Sequence, residues 1–211
     1  MAAKRKVVIA HGWNDSPANL WISWLVGELE ARGFEVITPA LPNPLVPRLD
    51  LWLKTLREAT GELDWNTTLV GYSLGTPTTL RLLNDYADEV KIAGLILVAG
   101  FGDGIFDKPG ALFDPPLDFE RVKSRAKTRV VVYSNDDRMV PTKRSQQLAI
   151  NLGAREVIVM GGGHFMGKSK YPRSIDRLPA VLEAVLSAYP GGWRYWFNRV
   201  VYSVTKGIIS R

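Results

Sequence analysis

The chain contains no cysteine among its 211 residues, which excludes disulfides, thiolate metal sites and cysteine nucleophiles together. Histidine is nearly as scarce. His11 and His164 are the only two, so any chemistry that needs an imidazole has a short list of candidates. Long apolar runs are missing as well. The run Val7 to Ala10, behind Lys4, Arg5 and Lys6, stops at His11, too short for the core of a secretion signal or for a membrane span. Cytoplasmic residence is the resulting expectation. Acidic residues are absent from Pro190 to Arg211, and the net charge of +6 resides at the ends. Without Lys4, Arg5, Lys6, Arg194, Arg199, Lys206 and Arg211 the body is close to neutral. It therefore lacks the basic face of a nucleic-acid-binding protein, and no nucleic-acid partner is expected.

What is present describes one folded domain. The 46% hydrophobic content suffices for a core at this length. Short β-branched runs alternate with longer helical patterns, which predicts an α/β fold, a mostly parallel sheet with helices on both faces. The expected strands are Lys6 to Ala10, Phe34 to Thr38, Thr67 to Gly71, Ile92 to Ala99, Arg129 to Ser134 and Glu156 to Met160. Helices are expected over Pro17 to Ala31, Leu49 to Thr60, Gly75 to Tyr86, Thr142 to Leu152 and Ile175 to Ala188. Ser16 and Pro17 serve as a start signal and Gly33 as a stop. The Gly-, Pro- and aromatic-rich segment 100–120 interrupts the alternation and is expected to form a short cap over a site. The domain then spans 1–189, with a basic aromatic tail over 190–211.

The chemistry starts at TTLVGYSLGTPTT, residues 67–79. In GxSxG a strand turns sharply through the serine into a helix, and side chains at the glycines would strike neighbouring backbone. Gly71 and Gly75 flank Ser73 in this way, with strand-formers before and a helical pattern after. The bare pattern is short enough to arise by chance, so the remainder of a nucleophilic site has to be found elsewhere. A serine hydroxyl needs an imidazole base held by a carboxylate. His164, in MGGGHFMG after an expected strand, stands where ligands gather in open parallel sheets. It also comes last in the chain order Ser, acid, His of elbow hydrolases. The acid then falls in SNDDRMVP, where Asp136 and Asp137 are equal candidates on spacing and Asp103 and Asp107 rank below them. The developing oxyanion needs backbone donors, for which the amides of Leu74 and of Trp13, in the loop His11-Gly12-Trp13 after the first strand, are suited. His11 is expected to brace that loop.

Together HGW, ALPNP with a downstream Trp52, GYSLG, SNDDRMVP and GGGHF resemble the small serine hydrolases related to retinoblastoma-binding protein nine, in the α/β-hydrolase superfamily. The likeness covers roughly residues 6–189. It implies an α/β-hydrolase fold and a cofactor-independent, metal-free serine hydrolase. It also implies that Asp137 is the acid, because the family's SxxDxxVP pattern falls on Ser134, Asp137, Val140 and Pro141, with Ser73 and His164 as nucleophile and base. Arg138 stands where the family commonly has proline, at the expected mouth of the site. The LxCxE motif for binding the retinoblastoma protein is impossible without cysteine.

The expected function is hydrolysis of a small acyl substrate, an ester, thioester or amide, through an acyl-enzyme on Ser73. The alternative is a hydrolase fold kept as an interaction protein that works through its tail. As a helix, residues 191–211 would gather Trp193, Phe197, Val200, Val201, Val204 and Ile208 broadly on one side. Such a helix could pack on the body, make a homodimer or lie on an anionic membrane surface.

Overall fold

A computed structural model describes residues 4–87, 89–102, 116–166, 174–190, 199–205 and 208–210. Among these residues eight strands form one sheet: β1 (Lys6–Ala10), β2 (Glu35–Ile37), β3 (Thr67–Tyr72), β4 (Ile92–Val98), β5 (Ala126–Ser134), β6 (Arg155–Met160), β7 (Arg199–Thr205) and β8 (Ile208–Ser210). Their order is β2-β1-β3-β4-β5-β6-β7-β8. Every pairing is parallel except β7 with β8. The helices are α1 (Leu20–Glu30), α2 (Leu49–Thr60), α3 (Gly75–Asn84), α4 (Phe119–Arg125), α5 (Thr142–Leu152) and α6 (Pro179–Leu186). This is the α/β-hydrolase arrangement, and among the described residues no helix is long and apolar enough to cross a membrane.

The period of two along each strand divides the core into two layers. Val7, Ile9, Val70, Ile96, Val98, Val130 and Val132 face α1 and α6, where they pack on Trp21, Leu25, Val181 and Val185. Val8, Leu69, Leu95, Leu97, Val131 and Tyr133 face the other way, onto Trp52, Leu56, Leu80, Leu83, Val122 and Leu148. Because both faces are covered, β3 and β4 are buried along their whole length, which is why the sequence shows β4 as an uninterrupted apolar run and β3 as a run of β-branched and apolar residues.

The chain leaves β1 for β2 on one side of the sheet and continues to β3 on the other. Loops that leave the carboxyl ends of β1 and β3 thus diverge and open a crevice between them, the usual ligand position in such sheets. The segment after β1 and the elbow after β3 both lie there.

Three expectations are corrected. Ser16 and Pro17 do not start α1: Asn19 N–H donates to the Ser16 carbonyl at 3.1 Å in a turn, and the helix begins at Leu20. A seven-residue helix that the sequence pattern did not indicate, α4, begins at the end of the segment expected to form the cap, where Asp118 accepts a hydrogen bond from the Arg121 amide at 2.9 Å. The tail is not a helix over 199–205, since β7 pairs in parallel with β6 and extends the sheet. Most of the expected cap, 103–115, and the tail residues 191–198 lie outside the described residues, as do Asp103 and Asp107.

Candidate active site

The turn between β3 and α3 has no room for side chains on either side of Ser73. A Cβ on Gly71 would sit 2.8 Å from the Gly75 carbonyl oxygen and 2.8 Å from the Thr76 Cα. On Gly75 it would lie 2.2 Å from the Ala10 carbonyl oxygen and 2.7 Å from that of His11. Only backbone is met in both cases, and backbone cannot rotate away. The serine itself takes φ = +51°, a conformation that costs a non-glycine residue of order 1 kcal/mol or more and persists because its surroundings dictate it. Its N–H is tied to the Val98 carbonyl at 2.9 Å. Ala99 after β4 and Phe165 beside His164 also take positive φ, +45° and +53°, so strained backbone clusters along this edge of the sheet.

Ser73 Oγ lies 2.8 Å from His164 Nε2, and His164 Nδ1 lies 2.7 Å from Asp137 Oδ2. With Nδ1–H donating to the carboxylate, Nε2 keeps a lone pair and accepts from the serine hydroxyl. Asp137 is fixed in turn, because its Oδ1 accepts the amides of Met139 and Val140 at 2.8 and 2.9 Å. Side-chain exposure is 5% for His164 and 2% for Asp137, so the chain of bonds runs in a shielded setting.

The ambiguity between adjacent aspartates resolves into a division of labour. The three residues before Asp137 each hold one glycine of the Gly161-Gly162-Gly163 loop. Asn135 Oδ1 accepts the Gly161 amide at 2.8 Å, Ser134 Oγ the Gly162 amide at 2.9 Å, and Asp136 Oδ1 the Gly163 amide at 2.7 Å. Asp136 also accepts the Ser134 hydroxyl at 2.6 Å. SND therefore positions the loop, and the fourth residue reaches the imidazole. From the opposite side, Tyr72 donates its hydroxyl to the His164 carbonyl at 2.7 Å, and Trp21 Nε1–H donates to the Phe165 carbonyl at 3.1 Å.

The segment after β1 forms the other wall. A Cβ on Gly12 would approach the Ser73 Cβ to 2.9 Å, so glycine lets this loop lie against the serine. His11 is 2% exposed and braces this loop. Its Nε2 accepts the Leu41 amide at 3.0 Å while Nδ1 faces the Gly12 carbonyl at 3.0 Å, and its ring meets Trp52 edge-on at 5.6 Å. Three more bonds fasten the ALPNP loop: Trp52 Nε1–H to the Pro42 carbonyl at 2.7 Å, Asn14 N–H to that of Pro44 at 2.8 Å, and Trp13 Nε1–H to that of Leu45 at 2.9 Å. Leu74, whose amide follows Ser73, precedes the first turn of α3.

The crevice so formed is lined by Trp13, Asp15, Asn19, Tyr72, Ser73, Met139, His164 and Met166. Trp13 and Met139 are each about half exposed at its mouth, whereas Trp21 and Trp52 are core residues at 0% and 1%. Sequence reasoning did not single out Tyr72, Asp15 or Asn19. Tyr72 sat inside the elbow motif in plain view; nothing in DSPAN distinguished the other two from turn formers. Among the described residues no group of three or more His, Asp or Glu side chains is placed to hold a metal ion.

This architecture has counterparts among known proteins. The serine hydrolase family model matches residues 7–183. The YdeN protein of Bacillus subtilis is 35% identical over 187 residues, 88% of this chain and 96% of that one. Its crystal structure shares a TM-score of 0.80 at 34% identity, over 88% of this chain and 98% of its own. Serine hydrolase RBBP9 of Rattus norvegicus is 28% identical over 171 residues, 78% of this chain and 89% of its own. At 18% identity, the crystal structure of esterase PE8 shares the fold with a TM-score of 0.58, over 89% of this chain and 94% of its own.

Proposed function

Given that the chain belongs to the serine hydrolase family, we propose that it hydrolyses a small ester, thioester or amide through an acyl-enzyme on Ser73. The observation that carries this reading is the continuous relay from Ser73 Oγ through His164 to Asp137, with links of 2.8 and 2.7 Å.

As the serine oxygen attacks the substrate carbonyl, its proton passes to His164 Nε2, and Asp137 stabilises the imidazolium and holds its orientation. The tetrahedral oxyanion is met by the amides of Leu74, at the positive end of α3, and Trp13. Collapse expels the leaving group with the proton from Nε2 and leaves the acyl group on Ser73. Water then attacks the ester carbonyl, gives its proton to Nε2 and releases the acid, and the proton returns to Ser73. No step calls for a cofactor. The close approach of Gly12 to Ser73 supports the assignment of Trp13, because it places the segment after β1 beside the reacting atoms.

Intact-mass analysis after treatment with a fluorophosphonate tests the reading. The native protein should gain one adduct that Ser73→Ala lacks. A folded native protein that takes up none, or a Ser73→Ala variant that still does, would overturn it.

A further inference from the structure

The crevice contains a buried carboxylate that the acyl-transfer steps do not use. Asp15 and Asn19, 8% and 3% exposed, line it together with Ser73 and His164. Asn19 Nδ2–H donates to Asp15 Oδ2 at 2.8 Å. This is the one polar contact of the Asp15 carboxylate among the described residues, none of which supplies it with a cation. Asn19 Oδ1 is buried with no hydrogen-bond partner among the described residues. A buried carboxylate with a single neutral donor, next to an amide oxygen with none, is unfavourable unless something supplies the missing donors.

A helix-capping role does not account for the pair. Asn19 occupies the cap position of α1 but makes no side-chain cap hydrogen bond, and no backbone amide donates to Asp15 among the described residues. The vacant positions are therefore all acceptors, on one wall of the crevice that contains the reactive serine. Beside them stands the indole of Trp13, itself half exposed, and an indole face also attracts cations. The chemistry that satisfies two acceptors and an aromatic face is a compact cation with several N–H donors.

We propose that Asp15 and Asn19 receive a protonated amino group of the substrate, so that the enzyme prefers esters or amides of amino acids to those of plain carboxylic acids. This rests on the serine hydrolase reading above and narrows it. Hydrogen bonds between charged partners are about twice as strong as neutral ones. Loss of the carboxylate should thus reduce the preference for an amine-bearing substrate by about tenfold or more.

The test compares two esters with one acyl skeleton, L-leucine 4-nitrophenyl ester and 4-methylpentanoic acid 4-nitrophenyl ester, each corrected for its spontaneous hydrolysis. The quantity followed is the ratio of their kcat/KM values. Native protein should favour the leucine ester at least tenfold, and in Asp15→Asn that ratio should fall to within about twofold of one. A native ratio near one, or a ratio that Asp15→Asn leaves in place, overturns the proposal. A second measurement needs no variant: L-leucinamide should slow fluorophosphonate labelling of native Ser73 at concentrations at least tenfold below those required of 4-methylpentanamide. Equal protection overturns the proposal, and so does labelling of Ser73 with turnover of neither ester. Absence of labelling altogether strikes at the hydrolase reading itself, and so the two failures are told apart.

Discussion

At the scale of the residue, Asp136 and Asp137 are chemically identical neighbours given different tasks by the backbone between them. Asp137 reaches His164, whereas Asp136 holds the loop that carries it. Replacing Asp137 by Asn should lower kcat by about 10³ to 10⁴, because the amide favours the wrong imidazole tautomer while leaving the geometry in place. Asp136→Ala removes an acceptor from the Gly163 amide and from the Ser134 hydroxyl, and should cost about 1–3 kcal/mol of stability. Its kcat should fall far less, by about tenfold, since the imidazole keeps its own carboxylate. Steady-state kinetics together with a thermal melt distinguishes the two. Equal kcat losses in both variants would remove the division of labour. Spacing in SNDD left the choice open, and a resemblance to a family pattern pointed to the second aspartate. What sequence could not display was that Ser134, Asn135 and Asp136 each take one amide of the facing glycine loop, because that match exists only once β5 and β6 are paired.

At the scale of the element, the β3–α3 elbow is legible from its glycines because steric exclusion by backbone leaves no other residue there. Gly75→Ala would drive a methyl carbon to 2.2 Å from the Ala10 carbonyl oxygen, forcing β1 and α3 apart. A loss of more than about 4 kcal/mol is expected, visible as a large fall in the urea midpoint or as failure to fold. Central strands were legible for a related reason, since burial on both faces favours continuous runs of β-branched and apolar residues. Helices α2 and α5 begin and end where their patterns do. The start of α1 was not legible, because Ser16 and Pro17 suit a turn as well as a helix start. Strand β7 was missed for a different reason. RVVYSVT fits either a strand or one side of a helix, and its pairing partner β6 lies some forty residues earlier.

The junction from α2 into β3 offers a pH-dependent prediction at the same scale. Burial pushes the Asp64 carboxyl up, but hydrogen bonds from the Thr67 hydroxyl and from Asn66 outweigh it and hold it below the usual carboxylate range. A depressed folded value means that the unfolded chain binds the proton more readily. The stabilisation is therefore present above the unfolded value of about 3.9 and is lost as pH falls through the folded one. Asp64→Ala should be less stable than native protein by about 1 kcal/mol at neutral pH, and the gap should close toward pH 2. A gap independent of pH would mean that the carboxylate charge is irrelevant to this turn.

At the scale of the whole molecule, the family match ends at residue 183, yet the sheet continues through β7 and β8 beyond it. The junction is polar and buried. Tyr202, 3% exposed, donates its hydroxyl to Glu183 on α6, and Arg155 on β6 donates to Ser187 Oγ at 2.9 Å. Burial, reinforced by the Glu183 carboxylate, pushes the Tyr202 phenol well above its ordinary value, against an opposing pull from Arg155. For a phenol this sign means that the folded state keeps its proton where the unfolded chain, near pH 10, gives it up. Stability from Tyr202 is thus complete below about pH 10 and declines as pH rises beyond it. Tyr202→Phe cannot ionise, so its stability should decline less steeply than that of native protein between about pH 9 and 11, as measured by urea unfolding at each pH. Deleting residues 191–211 should have the larger effect, because it bares the parallel edge of β6 and vacates the site of a buried ring. The cost expected is about 3 kcal/mol, with a tendency to self-associate through the new edge. Ser73 stands at the carboxyl end of β3, with β4 and β5 between it and β6, and the loop after β6 that carries His164 keeps its bonds to Ser134, Asn135, Asp136 and Tyr72 without the tail. Fluorophosphonate labelling of Ser73 should therefore persist in the truncated protein at temperatures below its melt. Labelling lost while the protein remains folded would show that the added strands serve the chemistry as well as the sheet.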